Sequence, residues 1–304
     1  MRVFVTGATG YIGAAVAAAF ARQGHHVFGL VRTPAKAARL AAAEVTPVAG
    51  NLHDPDGWRA AADACDVLVH CAVEYSEKQW ELHARTVEAL IDSARRAHRP
   101  RRLLVTSGCW VYGDTGDGVA DETSALAPPA LVAPRPADDD RVLDANGTLL
   151  KTIVLRPGCV YGGSAGLTAS WFESAATEAA ARFVGDGANR WAMIHVEDLA
   201  DLYVRAAESV YGGEVFNASD RSRFTVLECA RAASLAAGAG GKTVSWPLAE
   251  AGKAMGPAYA ECLALSQHLD SSKAVRLLGW QPRHGGFADG APRYFQAWKA
   301  STGA

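Results

Sequence analysis

The sequence has 304 residues, of which 49% are hydrophobic and 20% are charged, so it can bury a large core in one domain or two coupled ones. Its formal net charge of −2 leaves no basic excess for a run of phosphates, which disfavours nucleic acid as a partner. No apolar stretch is long enough to cross a bilayer, and the first five residues lack the pattern of a secretory signal. The cysteines are scattered without a Cys-x-x-Cys pair, so we expect a metal-free cytoplasmic protein with free thiols.

The first half of the chain alternates short β-branched runs with alanine-rich helical stretches. Strands are predicted at residues 3–6, 26–31, 44–48, 67–71, 102–106 and 151–155. Helices are predicted at residues 12–23, 35–43, 55–64 and 77–97. This alternation predicts parallel β-α-β units, and hence an α/β fold of the Rossmann type with helices on both faces of a doubly wound sheet.

The second half has a looser pattern. Residues 114–136 are rich in Pro, Ala, Asp and Gly and are predicted to form a long loop over the carboxyl ends of the strands, where such loops often act as lids. Helices are predicted at 167–181, 196–209 and 258–265, and a strand is predicted at 214–217. The tail is expected to pack onto the Rossmann core, because no low-complexity linker separates the two.

The strongest motif is a glycine-rich turn that follows the first strand and opens the first helix. Its glycines permit a tight turn, let backbone N–H groups approach a pyrophosphate, and let the helix pack closely on the strand. Because the turn has this strand–turn–helix context, it predicts a dinucleotide site. The residues expected to contact the cofactor here are Gly7, Thr9, Gly10, Tyr11, Ile12 and Gly13.

The choice of cofactor is predicted at the end of the second strand. Enzymes that use NAD place Asp or Glu there to bind the ribose 2′-hydroxyl. This chain has Arg32 instead, and a guanidinium can hold a 2′-phosphate that an acid would repel. NADP(H) is therefore favoured over NAD(H), with an ordinary surface arginine as the alternative interpretation of Arg32.

Further cofactor contacts are predicted at the ends of later strands. Asn51 and Leu52 follow the third strand and are placed near the adenine, Cys71 and Ala72 close the fourth, and Thr106 closes the fifth near the nicotinamide. These positions share the carboxyl edge of the sheet, where ligands of open α/β sheets bind.

Several segments together resemble the extended short-chain dehydrogenase/reductase superfamily, in the NAD-dependent epimerase/dehydratase group. They are the glycine-rich turn, His70-Cys71-Ala72, and the segments 106–113, 156–162, 194–200 and 278–282. By this resemblance Pro157 and Val160 lie beside the nicotinamide, residues 1–162 and 191–217 form the dinucleotide-binding domain, and residues 163–190 and 218–304 form a smaller substrate lobe. The resemblance also implies a homodimer through helix 77–97, with simple packing of that helix on the sheet as the alternative.

One departure from that family concerns the acid/base pair. The family carries Tyr-x-x-x-Lys about twenty residues after its Val-Tyr-Gly segment, but the stretch 131–140 offers no Tyr and Lys four residues apart. The family's usual Ser/Thr position holds Gly108, with Ser107 adjacent. The sequence therefore indicates an atypical member, whose fold and cofactor fit the family but whose standard mechanism does not.

Three hydroxyl groups are candidates for the missing proton donor: Ser107, Tyr112 and Tyr75. A general acid typically adds about 10²–10⁴-fold to a rate, so its replacement matters. Packing is the favoured alternative for Tyr112, and it is also favoured for His195, which titrates near neutral pH when exposed. Arg135 and Asp138 could serve an acidic or polar substrate, but a solvated loop is the favoured interpretation of both. A second set could line an apolar cleft for a flat or lipophilic carbonyl: Trp110, Trp171, Phe172, Trp191 and Tyr259.

These observations favour an NADP(H)-dependent oxidoreductase that acts on a small carbonyl or alcohol. Two alternatives stay open: an epimerase or dehydratase of sugar-like substrates, and a catalytically silent NADP(H)-binding sensor or scaffold. A serine hydrolase is disfavoured. Residues 162–166 match Gly-x-Ser-x-Gly, but the acid and histidine that would follow, Asp186 and His195, are too close together in the chain.

Overall fold

The computed structural model describes residues 1–163 and 165–303, so Ser164 of the Gly-x-Ser-x-Gly pattern lies outside the described residues. Within these ranges the strands are β1 (Arg2–Thr6), β2 (His26–Val31), β3 (Thr46–Ala49), β4 (Val67–His70), β5 (Arg101–Thr106), β6 (Leu150–Pro157), β7 (Cys159–Tyr161), β8 (Ala181–Val184), β9 (Met193–His195), β10 (Glu214–Ala218) and β11 (Thr243–Trp246). The helices are α1 (Tyr11–Arg22), α2 (Pro34–Ala42), α3 (Asp56–Asp63), α4 (Gln79–Arg96), α5 (Arg135–Asp144), α6 (Ala169–Glu178), α7 (Val196–Glu208), α8 (Val226–Ala236), α9 (Leu248–Met255), α10 (Pro257–Ala264), α11 (Ser272–Leu278) and α12 (Phe287–Thr302).

The central sheet is parallel throughout its described strands, in the order β10-β6-β5-β4-β1-β2-β3. The chain runs outward from β1 to β3 and then returns, so β4 pairs with the other side of β1. This reversal creates a crevice at the carboxyl ends of β1 and β4, where doubly wound sheets bind ligands. The predicted fold class is confirmed.

Apolar side chains cover both faces of this sheet. On one face α1 and α7 pack over β1, β5 and β6, and on the other α3 and α4 pack over β4 and β5. On the second face the rings of Phe4 and Trp58 stack with their centroids 5.5 Å apart. Strands buried on both faces are near-continuous apolar runs, which is why the sequence pattern identified them well.

A second apolar cluster joins α6, α8 and α12 with β8, and β11 pairs with β8 beside it. At its centre lie Tyr161, Trp171 and Phe287, each of which is at most 2% exposed. The cluster is built from the residues assigned to the smaller lobe, with contributions from β7 and β9. The exact domain limits stay a prediction. No helix in the described ranges combines the length and apolar character needed to cross a membrane.

Two predicted segments were wrong in part. The predicted helix 167–181 ends at Glu178, because Ala179 adopts a left-handed backbone with φ +56° and β8 follows. The stretch around Arg135 and Asp138 is the first turn of α5 and not a solvated loop, and Asp138 is only 6% exposed. Prolines before and inside the first turn, followed by aspartates, are a typical helix start.

Candidate dinucleotide groove and the polar cluster beside it

The turn between β1 and α1 depends on two glycines for different reasons. Gly7 has φ +74°, and a Cβ added there would lie 2.7 Å from the backbone nitrogen of Ala72. At Gly13 an added Cβ would lie 2.1 Å from the carbonyl oxygen of Gly7. The two glycines therefore let the turn lie against the end of β4 and let α1 approach β1, as the motif predicts.

The amino end of α1 offers its backbone N–H groups to the groove. Gly10 caps the helix without a side-chain hydrogen bond, and no acidic residue occupies the first turn. Thr9, Tyr11 and Ile12 are half-buried around it. Unpaired N–H groups and the helix dipole favour an anion at this position, so the cradle fits a pyrophosphate.

Arg32 lies at the end of β2 and makes an ion pair across the groove. Its guanidinium is 3.2 Å from a carboxylate oxygen of Glu74, a residue of the loop after β4. The other oxygen of Glu74 lies 3.0 Å from Nε2 of His53. Because β1 lies between β2 and β4, this pair crosses above the strand that leads into the glycine-rich turn. The Arg32 side chain remains 63% exposed, so it is accessible to a ligand.

Asn51 and Leu52 lie beside that ion pair. Asn51 Oδ1 accepts the backbone N–H of His53 at 2.9 Å, and the Asn51 carbonyl accepts the indole N–H of Trp58 at 3.0 Å. Leu52 lines a small cleft with Ala72 and Glu74. The structure thus brings both residues to the end of the groove that Arg32 occupies, and their contact with adenine stays a prediction.

The other predicted cofactor contacts lie along the carboxyl edge. Cys71 is half-buried, and burial raises the pKa of its thiol to about 11. The hydroxyl of Thr106 donates to the carbonyl of His70 at 2.8 Å and lies 2.5 Å from the Tyr203 hydroxyl. Pro157 ends β6, and Val160 is buried in β7.

Ser107 and Tyr112 belong to one buried polar cluster. Ser107 donates to Asp139 at 2.8 Å, and the Arg156 guanidinium donates to the same carboxylate oxygen at 3.0 and 3.1 Å. Arg156 also reaches the Tyr112 hydroxyl at 3.2 Å, and that hydroxyl donates to Asn217 at 2.8 Å. Four separated segments of the chain therefore meet just below the end of β5.

The cluster limits what its hydroxyls can do. Burial raises the pKa of Tyr112 and also that of Asp139. Tyr112 is only 3% exposed, and its one proton is already donated to Asn217. These contacts favour the packing interpretation of Tyr112. Ser107 is 7% exposed and directly follows Thr106, so it lies closer to the groove.

Arg135 and Tyr75 lie on the open side of the same edge. The Arg135 guanidinium donates to the carbonyl of Thr106 at 2.8 Å and lies over the Trp80 ring at 4.8 Å, and burial lowers its pKa. Tyr75 is 91% exposed in the loop after β4. Its phenol lies close enough to Arg135 and Tyr259 to affect the pKa of each. Arg135 thus brings a cation to the predicted nicotinamide end.

His195 lies at the start of α7, where the ring nitrogen Nδ1 accepts the backbone N–H of Glu197 at 3.2 Å. Its ring stacks on His284 with centroids 3.5 Å apart, and burial lowers its pKa to about 3. Donor atoms of His195, Glu197 and His284 fall within 4.8 Å of one another, as in a metal site. His284 Nδ1, however, already pairs with Asp198 at 3.0 Å, so these contacts favour a structural role.

Comparison with known proteins agrees with this geometry. The model of the NAD dependent epimerase/dehydratase family matches residues 3–219. The chain belongs to this family. The match runs from β1 to the last strand of the central sheet, so it includes the glycine-rich turn and the polar cluster. Membership supports an NAD(P)-dependent enzyme of the oxidoreductase, epimerase or dehydratase type.

Similar curated proteins include one that is uncharacterized and one that is named for a reaction. An uncharacterized protein of Schizosaccharomyces pombe is 29% identical over 93% of this chain and 96% of its own. A 4-hydroxy-2-methyl-3-oxo-4-farnesyl-3,4-dihydroquinoline-1-oxide ketoreductase of Stigmatella aurantiaca is 30% identical over 72% of this chain and 68% of its own.

Solved structures share the fold over the whole chain. UDP-glucuronic acid 4-epimerase from Bacillus cereus, in complex with UDP-glucuronic acid and NAD, has a TM-score of 0.83 at 18% identity and covers 99% of this chain and 100% of its own. The human epimerase family protein SDR39U1 with NADPH has a TM-score of 0.79 at 21% identity, covering 97% and 99%. At these identities the likeness establishes the fold.

Sequence reasoning missed three charged residues that the structure brings to this region. Asp139 and Arg156 form the buried ion pair that holds Ser107 and Tyr112, and Glu74 engages Arg32. Asp139 had no signal of its own among three consecutive aspartates. Arg156 directly follows the apolar run Ile153-Val154-Leu155 near the end of β6, and a charge next to such a run implies a buried partner, which was the usable signal.

Proposed function

We propose that this protein is an NADP(H)-dependent reductase of a ketone or aldehyde. The observation that carries the proposal is the position of Arg32, an exposed guanidinium at the end of β2 where no acid stands to bind a ribose 2′-hydroxyl. The glycine cradle at the amino end of α1 fits the pyrophosphate of the same ligand. The relatives named as ketoreductase and as 2-alkyl-3-oxoalkanoate reductase support the direction of the reaction.

In this proposal NADPH, when bound, supplies the hydride for the carbonyl carbon, and the carbonyl oxygen takes a proton. The chain's own residues bind and orient the reactants at the carboxyl edge of β4 and β5. Arg135 stabilises the negative charge that develops on the oxygen, because a guanidinium held in place acts without reorganisation. Cys71, Ala72, Thr106, Pro157 and Val160 form the floor of the groove.

We assign the proton donor to Ser107 or Tyr75. Ser107 directly follows Thr106 at the groove, but its one proton is donated to Asp139 in this structure, so its hydroxyl must turn toward the substrate before it can donate. Tyr75 is 91% exposed in the loop after β4, on the same side of the groove as Arg135, so a substrate can reach its hydroxyl. Tyr112 remains a third candidate on sequence grounds, although its hydroxyl is buried and paired with Asn217.

Substitution of Arg32 tests the cofactor assignment. Arg32→Asp should weaken NADPH binding by more than tenfold and improve NADH binding, because the carboxylate repels a 2′-phosphate and accepts a hydrogen bond from a 2′-hydroxyl. Calorimetric titration with each dinucleotide measures both effects, and Arg39→Asp, a charge change on α2, is the control. An unchanged preference would reject the 2′-phosphate role.

Three conservative substitutions separate the proton donors. Ser107→Ala, Tyr75→Phe and Tyr112→Phe are compared for NADPH oxidation with one carbonyl substrate and for NADPH affinity. The donor is the residue whose loss reduces turnover about 10²-fold or more while the NADPH affinity is kept. Full activity of the Tyr112 variant would remove Tyr112 from the reaction.

A catalytically silent NADP(H)-binding protein is the second candidate, because Ser107 and Tyr112 both donate their protons inside the buried cluster. Binding of NADPH without turnover across a broad carbonyl panel would favour it. An epimerase or dehydratase would instead retain its nicotinamide through purification and show no net oxidation of added NADPH.

A further inference from the structure

A cavity of about 360 Å³ lies between α6, β8 and the helices α9 and α10, in the part of the chain outside the central sheet. Its volume is within the range of small-molecule sites. One wall is formed by Trp171 and Trp191, whose rings stack with centroids 4.9 Å apart. The opposite side carries Trp246, Met255 and Tyr259.

The cavity adjoins the dinucleotide groove at two places. The Tyr259 ring, in the cavity wall, meets the edge of Trp110, which lies just after β5, at a centroid distance of 6.3 Å. Gly166, at another wall, is so close to the carbonyl oxygen of Val160 that an added Cβ would lie 2.4 Å from it. These two contacts place the cavity next to Val160, the residue predicted to lie beside the nicotinamide.

The charges around the cavity disfavour phosphate. Among its described lining residues Arg182 is the one cation, and this side chain pairs with Glu178. The Arg182 guanidinium also lies over the Trp246 ring at 5.0 Å. Glu173 adds a second carboxylate to the lining. Binding a diphosphate here would require breaking an ion pair and placing two negative groups beside carboxylates.

We propose that this cavity binds the flat, uncharged and apolar part of the ketone substrate, which is an aryl or polycyclic ring system. The cavity does not bind a nucleoside diphosphate. This proposal rests on the proposed reductase function, because that function requires the ligand to carry a carbonyl group. The half-buried Trp246, Met255 and Tyr259 offer apolar surface to an aromatic ligand, and each aromatic contact adds to the stabilisation from buried area. The stacked indoles of Trp171 and Trp191 are largely buried and close the wall behind it. The cavity and the groove then hold the two ends of one substrate.

Phe172 marks the limit of this aromatic wall. It neighbours Trp171 in sequence, but its ring packs against Phe295 and Phe287, with centroid distances of 5.5 Å to each. It therefore belongs to the core beneath α12. Of the aromatic set predicted to line a cleft, Trp171, Trp191 and Tyr259 do so, and Trp110 contacts the lining from outside.

The test measures binding with two probes, 2-acetylnaphthalene and UDP-glucose, by calorimetry and by quenching of tryptophan fluorescence. Ser170 is an exposed residue of α6 at the rim of the cavity. Ser170→Phe fills that rim, and Ser170→Ala is the matched control because both lose the hydroxyl that donates to the Leu167 carbonyl.

We expect 2-acetylnaphthalene to bind the wild-type protein and the alanine variant equally, and to bind the phenylalanine variant at least tenfold more weakly. UDP-glucose should produce no heat with the wild-type protein. Binding of UDP-glucose, absence of ketone binding, or equal ketone binding by the phenylalanine variant would each overturn the assignment.

Binding is measured first without cofactor, so that the two proposals fail separately. Ketone binding that Ser170→Phe weakens, in a protein that never oxidises NADPH, would sustain the cavity assignment and reject the reductase. NADPH oxidation with a small aliphatic aldehyde, in a protein that binds no aryl ketone, would reject the cavity assignment alone.

Discussion

The glycine-rich turn and the buried polar cluster lie at neighbouring strand ends but are built in different ways. The turn is held by backbone contacts within residues 6–13 and with Ala72. The cluster is held by side chains from the segment that follows β5 and from α5, β6 and β10, and its hydrogen-bonded partners are up to 105 positions apart in the sequence. The glycine-rich turn therefore requires residues without side chains, and the polar cluster requires that oppositely charged side chains contact each other.

This difference determines how each region should respond to substitution. In the turn an added methyl group would displace the backbone, so a substitution there should change the shape of the groove. In the cluster the loss of one partner leaves a buried charge without compensation, so the damage concerns the stability of the fold. Four substitutions or titrations sharpen this contrast.

The largest effect is expected from Arg156→Met. Asp139 and Arg156 have side chains only 3% and 5% exposed, so removing the cation leaves a buried carboxylate unpaired. The free energy of unfolding should fall by about 3–5 kcal/mol in urea denaturation. Arg59→Met is the control, because the carboxylate of its partner Asp56 is 86% exposed and this surface ion pair should contribute about 1 kcal/mol or less. Equal losses in the two variants would contradict the contrast.

Gly7→Ala should weaken NADPH binding about 100-fold, because its methyl group would lie 2.7 Å from the Ala72 nitrogen. Gly24→Ala is a close control. Gly24 has φ +78°, nearly the φ +74° of Gly7, but nothing lies within 4 Å of its added Cβ. The backbone strain is shared, so calorimetric titration isolates the steric contact. If both variants bind alike, the turn does not shape the site.

Three buried histidines should make stability depend on pH. Burial lowers the pKa of His70 to about 3, of His83 to about 2 and of His195 to about 3. An unfolded histidine has a pKa of about 6.5, so the unfolded state binds more protons as the pH falls below that value. The contribution of these histidines to stability is then fully present above pH 6.5 and is lost as the pH falls toward 3, by about 2 kcal/mol for each histidine at pH 5.

Urea denaturation between pH 7 and pH 5 measures this slope. His83→Gln should reduce this slope, since one buried imidazole is removed and its partner His70, whose Nε2 lies 3.0 Å from His83 Nδ1, loses that contact. His98→Gln, at an exposed residue after α4, is the control and should leave the slope unchanged. If the unfolding free energy of the His83 variant depends on pH as steeply as that of the wild-type protein, the pKa of His83 does not differ between the folded and unfolded states.

The smallest effect is expected from Glu74→Gln. This change frees Arg32 from an exposed ion pair, so NADPH affinity should rise about fivefold or less while NADH affinity stays constant. Titration at low and moderate salt checks the electrostatic origin, because screening should reduce the gain. Lower NADPH affinity would mean that Glu74 helps to hold the cofactor.

Local sequence patterns made the central sheet and the glycine-rich turn predictable. The turn, β1 and the later parallel strands were identified because glycine spacing and apolar runs are local signals. Helix α5 was missed because its first turn carries Pro and Asp, which a propensity argument assigns to loops. The strands β8 and β11 were missed because they pair with each other and not with the central sheet, and the two segments are distant in the sequence.

The polar cluster could not be predicted because its partners are distant in sequence. Ser107 and Tyr112 were identified from their positions after β5. Nothing in the neighbouring sequence indicates that their hydroxyls form hydrogen bonds with Asp139 and Arg156. The same limit applies to Arg32, whose partner Glu74 comes from a different strand end. Charged pairs of this kind become visible only when the topology of the sheet is known.

The hydroxyl of Tyr11 donates to the carbonyl of Gly162 at 2.6 Å, which joins the first turn of α1 to the segment that leads from β7 toward α6. Gly162 is four residues before Gly166, which lines the cavity. The start of the first helix and the chain that leads into the cavity wall are therefore joined by one direct hydrogen bond, so the placement of one constrains the placement of the other.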